Sequence, residues 1–180
     1  YAAGQYATGS YNTFVGSQAG KGGTTSAPFS SGQYNTAVGY QALDAFTTGG
    51  SNTVVGSGAG GGITTGYDNV FIGTSAGQSI YGHFRNVAIG SGAGRAGAGE
   101  YANNVLIGHS AADRITGDYC VVIGGGAISG LSATGENNVV IGFQAHGISS
   151  GPGAAGQNVT IGFQAQYHSS GSNNVVIGYR

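Results

Sequence analysis

The 180 residues include 39 Gly but only two Pro, and 6% are charged, for a formal net charge of -1. The lack of a G-x-y triplet excludes collagen, and the regular return of Val and Ile excludes a disordered tract. So weak a charge offers nothing to nucleic acid or an anionic membrane surface, apolar runs of four or five residues cannot span a bilayer, and one Cys with no Met gives neither a disulfide framework nor a metal motif.

Tyr1-Ala2-Ala3-Gly4 reads in phase with "SGAG" at Ser57 to Gly60. The first full phrase is "YNTFVGSQA", Tyr11 to Ala19. An insertion follows, "KGGTTSAPFSSG", which holds Pro28. Then come "YNTAVGYQA", "SNTVVGSGA", "DNVFIGTSA", "RNVAIGSGA", "NNVLIGHSA", "YCVVIGGGA" and "NNVVIGFQA". A second insertion, "SSGPGAAG", holds Pro152, and "QNVTIGFQA" and "NNVVIGYR" close the chain. The Gly after the Val/Ile pair falls at 16, 39, 56, 73, 90, 108, 124, 142, 162 and 178, with a modal step of 17. Such self-similarity marks a repeat architecture spanning residues 1–180 as one domain. Both prolines lie in the two longest steps, which are expected to be surface loops.

Each phrase predicts one short strand, because β-branched residues alternate over a few positions bounded by Gly. A unit of this length fits two short strands and two turns. A lone coil buries too few apolar side chains, at ~1.5–3 kcal/mol each, to offset ~1–2 kcal/mol of backbone entropy per ordered residue. Stacking resolves this, so the expected fold is all-β, a parallel β-solenoid of about ten coils. The Thr/Val and Val/Ile positions flank the middle residue of each strand and share one face. They are expected to point inward, as Ile141 does in its unit. The Ala three residues after each motif Gly is expected to be the second strand's inward residue. The motif Gly column is expected at corners that need positive φ or close backbone approach. Asn12, Asn35, Asn52, Asn69, Asn86, Asn104, Asn138, Asn158 and Asn174 form a column broken only by Cys120. They are expected to build a ladder of amides at a corner.

The middle residue of each strand faces the other way, and nine of the ten are apolar. A strand with one wet face should be polar there. Phe14, Val54, Phe71, Leu106, Val122, Val140 and Val176 are therefore expected to bury against other copies of the chain. The alternative is that inserted loops fold over this stripe. Phe143 and Phe163 follow the motif Gly in adjacent units, and Tyr40 and Tyr179 occupy the same place in theirs. Tyr11 and Tyr34 both precede a ladder Asn. Stacking between coils or chains is the plain reading of these rings. The sharper one makes Tyr40, Phe143 and Phe163 contacts for sugar rings.

His83, His109, His146 and His168 occupy different places in their units, so no metal column is expected. Asp44, Asp68, Asp113, Asp118, Glu100 and Glu136 are scattered, and Asp113 and Asp118 flank Arg114 as solvated charges. Cys120 reads as a small buried residue. No nucleophile–base–orienter set can be assembled, and neither an enzyme nor a cofactor site is expected. Thr24, Thr25, Thr47, Thr48, Thr64 and Thr65 fall in loops of unequal length, which does not suit a flat ice-binding lattice. Asn158-Val159-Thr160 is a glycosylation sequon within a predicted strand, and modification is not expected.

"NNVLIG", "NNVVIG", "DNVFIG" and "RNVAIG", each followed by two further residues and then Ala, resemble the head repeat of trimeric autotransporter adhesins, the YadA-like family. "YNTAVGYQAL" and "FTTGGSNTVVG" are similar to repeats of phage, viral and bacterial tail and surface fibres. The resemblance covers essentially the whole chain. It implies a left-handed β-roll, a homotrimer and an extracellular place on a cell or virion surface. The period here is longer and less even than the family's, and neither a neck, a stalk nor a membrane anchor is expected within these 180 residues. The expected function is structural, a stiff rod in an extracellular fibre that presents loops. The alternative is an adhesin head that recognises cell-surface glycan or matrix. Because both ends fall at nearly one point of the coil, the rod is expected to continue axially, as an excerpt of a longer chain or a head-to-tail filament.

Overall fold

The computed structural model describes residues 2–23, 29–79, 81–95, 101–113, 117–128, 135–145, 156–165 and 171–179. Pro28 and Pro152 lie outside the described residues, as do Thr24, Thr25, Glu100, Arg114, His146 and His168. Every repeat contributes one three-residue strand: β1 Thr13–Val15, β2 Thr36–Val38, β3 Thr53–Val55, β4 Val70–Ile72, β5 Val87–Ile89, β6 Val105–Ile107, β7 Val121–Ile123, β8 Val139–Ile141, β9 Val159–Ile161 and β10 Val175–Ile177. The ten form one parallel sheet in chain order, and no helix occurs among the described residues. The fold is a parallel β-solenoid. Its register is strict, with Val54 opposite Ala37 on one side and Phe71 on the other.

The stretch that ends in the repeated Ala is a turn, not the second strand expected from the sequence. The Ala amide donates to the motif Gly carbonyl three residues back, as from Ala59 to Gly56 at 3.3 Å. The residue before the Ala has positive φ, +53° at Gln41 and +55° at Ser75. Those two features define a type II turn, whose third position favours Gly or Asn. Gln and Ser are held there by coil-to-coil bonds, such as Gln41 N–H to Ser17 O at 3.0 Å and Ser75 N–H to Ser57 O at 2.9 Å. The Ala does point inward, and Ala42, Ala59, Ala76 and Ala93 are fully buried. The motif Gly column is also as expected. Gly73 has φ +131°, and a Cβ built on it would lie 2.6 Å from Gly90 O in the next coil.

The faces of the strands are the reverse of the expectation. Val54, Phe71, Leu106, Val122 and Val140 are fully buried inside the single chain, and Phe14 and Val176 are partly buried in the end coils. They form the solenoid's own core rather than an interface between copies. The flanking positions, Ile141 among them, lie on the outer surface. The reason is parity. Each ladder Asn stands two residues before a middle residue, so the two share a face. Asn35, Asn52, Asn69 and Asn86 are fully buried, and an amide ladder shielded from water fixes which side is in.

The middle position varies because a second position compensates for it. The residue four after the motif Gly faces it across the coil. Phe71 is matched by Gly77, where a built Cβ would lie 2.5 Å from the Phe71 ring. Val54 is matched by Gly60, whose Cβ would lie 3.2 Å from Val54 Cγ1. Where the middle residue is Ala37, the partner is Leu43, and both are fully buried. In these three coils the two positions vary inversely, whereas in the coil of β5 both are small, Ala88 and Gly94, and Leu106 and Tyr101 reach into the space beside Gly94, as close packing demands.

One middle residue breaks the apolar rule. Thr160 is fully buried, and its hydroxyl has no hydrogen-bond partner. Leaving such a group unsatisfied costs about 1–3 kcal/mol, so Thr160→Val, near in shape, should raise stability by about 1 kcal/mol. Urea denaturation of the two proteins would read this as a higher midpoint at unchanged slope.

Candidate functional site

The ladder, the outer sheet face and the exposed aromatics are the three places where repetition concentrates chemistry. In the ladder each interior Asn spends every polar atom. Asn69 Nδ2 donates to Asn52 Oδ1 at 3.0 Å and to His83 O at 2.8 Å. Its Oδ1 accepts from the Asn86 backbone N–H at 3.0 Å and from Asn86 Nδ2 at 3.3 Å. Asn12, Asn35, Asn104, Asn138, Asn158 and Asn174 follow the same pattern in whole or in part. The residue before each Asn has φ near +60°, including Tyr34, Ser51, Asp68 and Arg85. The ladder is thus a structural spine. It explains why Asn158, the sequon residue, is only 1% exposed.

Asn69→Ala would strip the acceptor from the Asn86 amides and a donor from His83 O, and would leave buried Asn52 Oδ1 with only the backbone N–H of residue 69. At about 1–3 kcal/mol per buried unsatisfied group, partly relieved by water, a loss of about 2–3 kcal/mol is expected in thermal or urea unfolding. Cys120 supplies the converse test. Its N–H still donates to Asn104 Oδ1 at 2.7 Å, and its thiol reaches Gly135 O at 3.4 Å. Burial pushes the thiol pKa up, the Asn138 hydrogen bonds pull it down, and the Asp118 and Glu136 carboxylates push it up again. A sulfur is a weak acceptor for the Asn138 amides. Cys120→Asn restores the missing rung and should add about 1 kcal/mol.

The outer face carries two columns. One runs Thr13, Thr36, Thr53 and then seven Val; the other runs three Val and then seven Ile. Seventeen of these twenty side chains are apolar, and no described element covers them. Val55 and Ile72 are 37% and 38% exposed, and Val175 and Ile177 in the last coil are about twice as open. At ~4.8 Å per rung the strip is roughly 43 Å long. Contiguous apolar patches of this size on a single chain usually serve association.

The aromatics stack as the plain reading has it. Phe163 lies between Phe143 at 5.6 Å and Tyr179 at 5.4 Å, with rings within 18° of parallel. Tyr11 stacks on Tyr34 at 5.0 Å. Both faces of Phe163 are thereby covered by neighbouring rings, which leaves no free face for a sugar. Tyr40 sits in the same column but six rungs, roughly 29 Å, from Phe143. The structure does not bring Tyr40 and the two Phe together. Tyr67 stacks on Phe84 at 5.1 Å, and the Arg85 guanidinium lies 5.9 and 5.7 Å from the two ring centres.

Ionisable groups remain dispersed among the described residues. No three His, Cys, Asp or Glu come together in a metal-holding cluster there. His83 is buried edge-on to Tyr101, whose hydroxyl donates to Gly94 O at 2.9 Å, and burial raises the Tyr101 pKa. His109 is exposed elsewhere. Asp118 ties its coil to the preceding one, since its carboxylate accepts the Ala102 N–H at 2.7 Å. Arg95 pairs with Asp113 at 3.4 Å, and Arg85 lies 4.0 Å from Asp68. No described helix is long and apolar enough to cross a membrane. No family model matches the chain, and neither the curated proteins nor the solved structures compared with it give a match.

Proposed function

We propose that this chain is a rod segment of an extracellular cell-surface or virion-surface fibre, and that its work is mechanical. The observation that carries this reading is the outer Val/Ile face. A regular, ten-stranded parallel sheet with seventeen apolar side chains turned outward is suited to bury itself against identical sheets. Identical faces at one repeat spacing can pack in register along their whole length, which favours closed symmetry about the rod axis. Three copies, each giving its strip to a shared centre, would remove all twenty columnar side chains from water. The resemblance of the repeats to trimeric fibre heads agrees with this number.

Stiffness follows from the bonding. Successive coils are joined by strand bonds, turn bonds and amide bonds, such as Thr53 N–H to Asn69 O at 2.8 Å, Gly58 N–H to Tyr40 O at 2.8 Å and Asn69 Nδ2 to Asn52 Oδ1 at 3.0 Å. Bending the rod would stretch all three on its convex side. Cross-linking in solution followed by negative-stain electron microscopy tests the proposal. The expected result is a cross-linked ladder that ends at three chains and straight particles of constant width. Single-chain particles that bend freely would refute it.

A further inference from the structure

The side-chain column two residues after the motif Gly is broken by glycine at Gly58, Gly92 and Gly126, and the break at Gly58 opens on a cavity. Two residues after the motif Gly, Gln18 and Gln41 stack with Gln41 Nε2 donating to Gln18 Oε1 at 2.9 Å. The same rung recurs between Gln164 and Gln144 at 2.9 Å. In the coil of β3 the position is Gly58, and the turn continues with Gly61 and Gly62. Three side chains are missing from one rung. The result is a notch of about 580 Å³ lined by Gln41, Asp44, Gln78, Ser79, Tyr81 and Arg95 over that glycine floor. The rungs that border it are two steps apart, roughly 9.6 Å.

The polar groups lean into this gap. Asp44 Oδ1 would lie 3.2 Å from a Cβ at Gly61, and Gln78 Nε2 would lie 3.6 Å from one at Gly58. Gln41 has used its Nε2 on Gln18, so its Oε1 is the acceptor that faces the missing rung. Arg95 is already paired with Asp113 at 3.4 Å, which weakens its pull on an anion. Burial raises the Asp44 pKa, while its backbone hydrogen bond and Lys21 lower it, and a partly buried carboxyl of this kind suits hydroxyl donors. What remains is a set of amide, hydroxyl and carboxylate groups, with donors and acceptors alternating, beside an exposed Tyr81 ring. Tyr81 is pinned through its carbonyl, which accepts the Thr64 and Thr65 N–H groups at 2.9 and 3.2 Å.

We propose that this notch binds one neutral, polyhydroxylated ring, a hexose unit of a glycan, whose hydroxyls complete the interrupted ladder. Vicinal hydroxyls donate to Gln41 Oε1 and the Asp44 carboxylate and accept from Gln78 Nε2, while the apolar edge of the sugar rests on Tyr81. A volume within the usual ~300–1,000 Å³ range of ligand sites suits a sugar ring. The site is distinct from the outer sheet face, so its failure would leave the rod proposal standing.

The test is titration of the amide-labelled protein with glucose, galactose and mannose, with inorganic phosphate and acetate as charged controls, read by chemical shifts. At least one hexose should move the backbone signals of Gly58 and Gly61 and the side-chain amides of Gln41 and Gln78 saturably, in the millimolar range. Gly58→Gln should then weaken binding at least tenfold. That variant places at this rung the residue that four other coils carry there, at φ +65° against +59° and +53° for Gln18 and Gln41, so the fold is retained. No saturable shift with any hexose would overturn the proposal. So would shifts that persist in Gly58→Gln, or phosphate or acetate moving the same signals more strongly.

Discussion

Val140→Lys is expected to unfold the protein, and Ile141→Asp is expected to leave it folded. Val140 is fully buried between Val122 and Thr160 of the neighbouring strands. A lysine there must lose its proton or distort two coils, at a cost of about 5 kcal/mol or more. That is the whole stability of many domains. Ile141 lies one residue on, on the outer face. An aspartate there reaches water in a single chain, and its penalty appears only when copies associate. Far-UV circular dichroism should therefore show loss of structure for the first variant alone. Light scattering should show dissociation of the second. The opposite assignment would mean that the faces are inverted.

Phe71→Ala is expected to cost about 3–5 kcal/mol, and Gly77→Leu should return much of it. Alone, Gly77→Leu drives a side chain into the Phe71 ring and should cost about 1–3 kcal/mol. Together the two rebuild the pairing found in the coil of β2, where Ala37 meets Leu43. Leu43 has φ +54° and Gly77 has φ +59°, so the backbone already suits the change. A double-mutant cycle in urea should give a coupling of at least about 2 kcal/mol in favour of the pair. Additive losses would show that the two positions do not share one space.

These two experiments mark where the sequence can be read and where it misleads. The period, the strand at the Val/Ile pair, the parallel stacking, the Gly corners and the Asn ladder are all legible, because each depends on a residue type recurring at a fixed offset; the second strand expected at the Ala is a turn instead, set by a positive φ that Gln41 and Ser75 do not advertise. The faces are harder. Val and Ile recur more faithfully than the middle residue, which invites placing them in the core. The interior accepts Phe71, Ala37 or Val54 opposite Gly77, Leu43 and Gly60, and the inverse pairing in these coils is a readable signal, which Ala88 opposite Gly94 does not follow. The buried amide of Asn69 is another, since it shares parity with Phe71. The left-handed residues Tyr34, Asp68 and Arg85 have no such signal. Side chains that dislike positive φ are held there by bonds to the preceding coil, such as Asp68 N–H to Gly50 O at 3.1 Å, which only the stacked structure supplies.

Burial of the outer Val/Ile face between copies is what would make this chain part of a rod. Sedimentation equilibrium of the wild-type chain, over concentrations at which it is folded, measures this most directly. Three times the chain mass of 17.6 kDa is the predicted result, and a folded species of one chain mass at every concentration would contradict it.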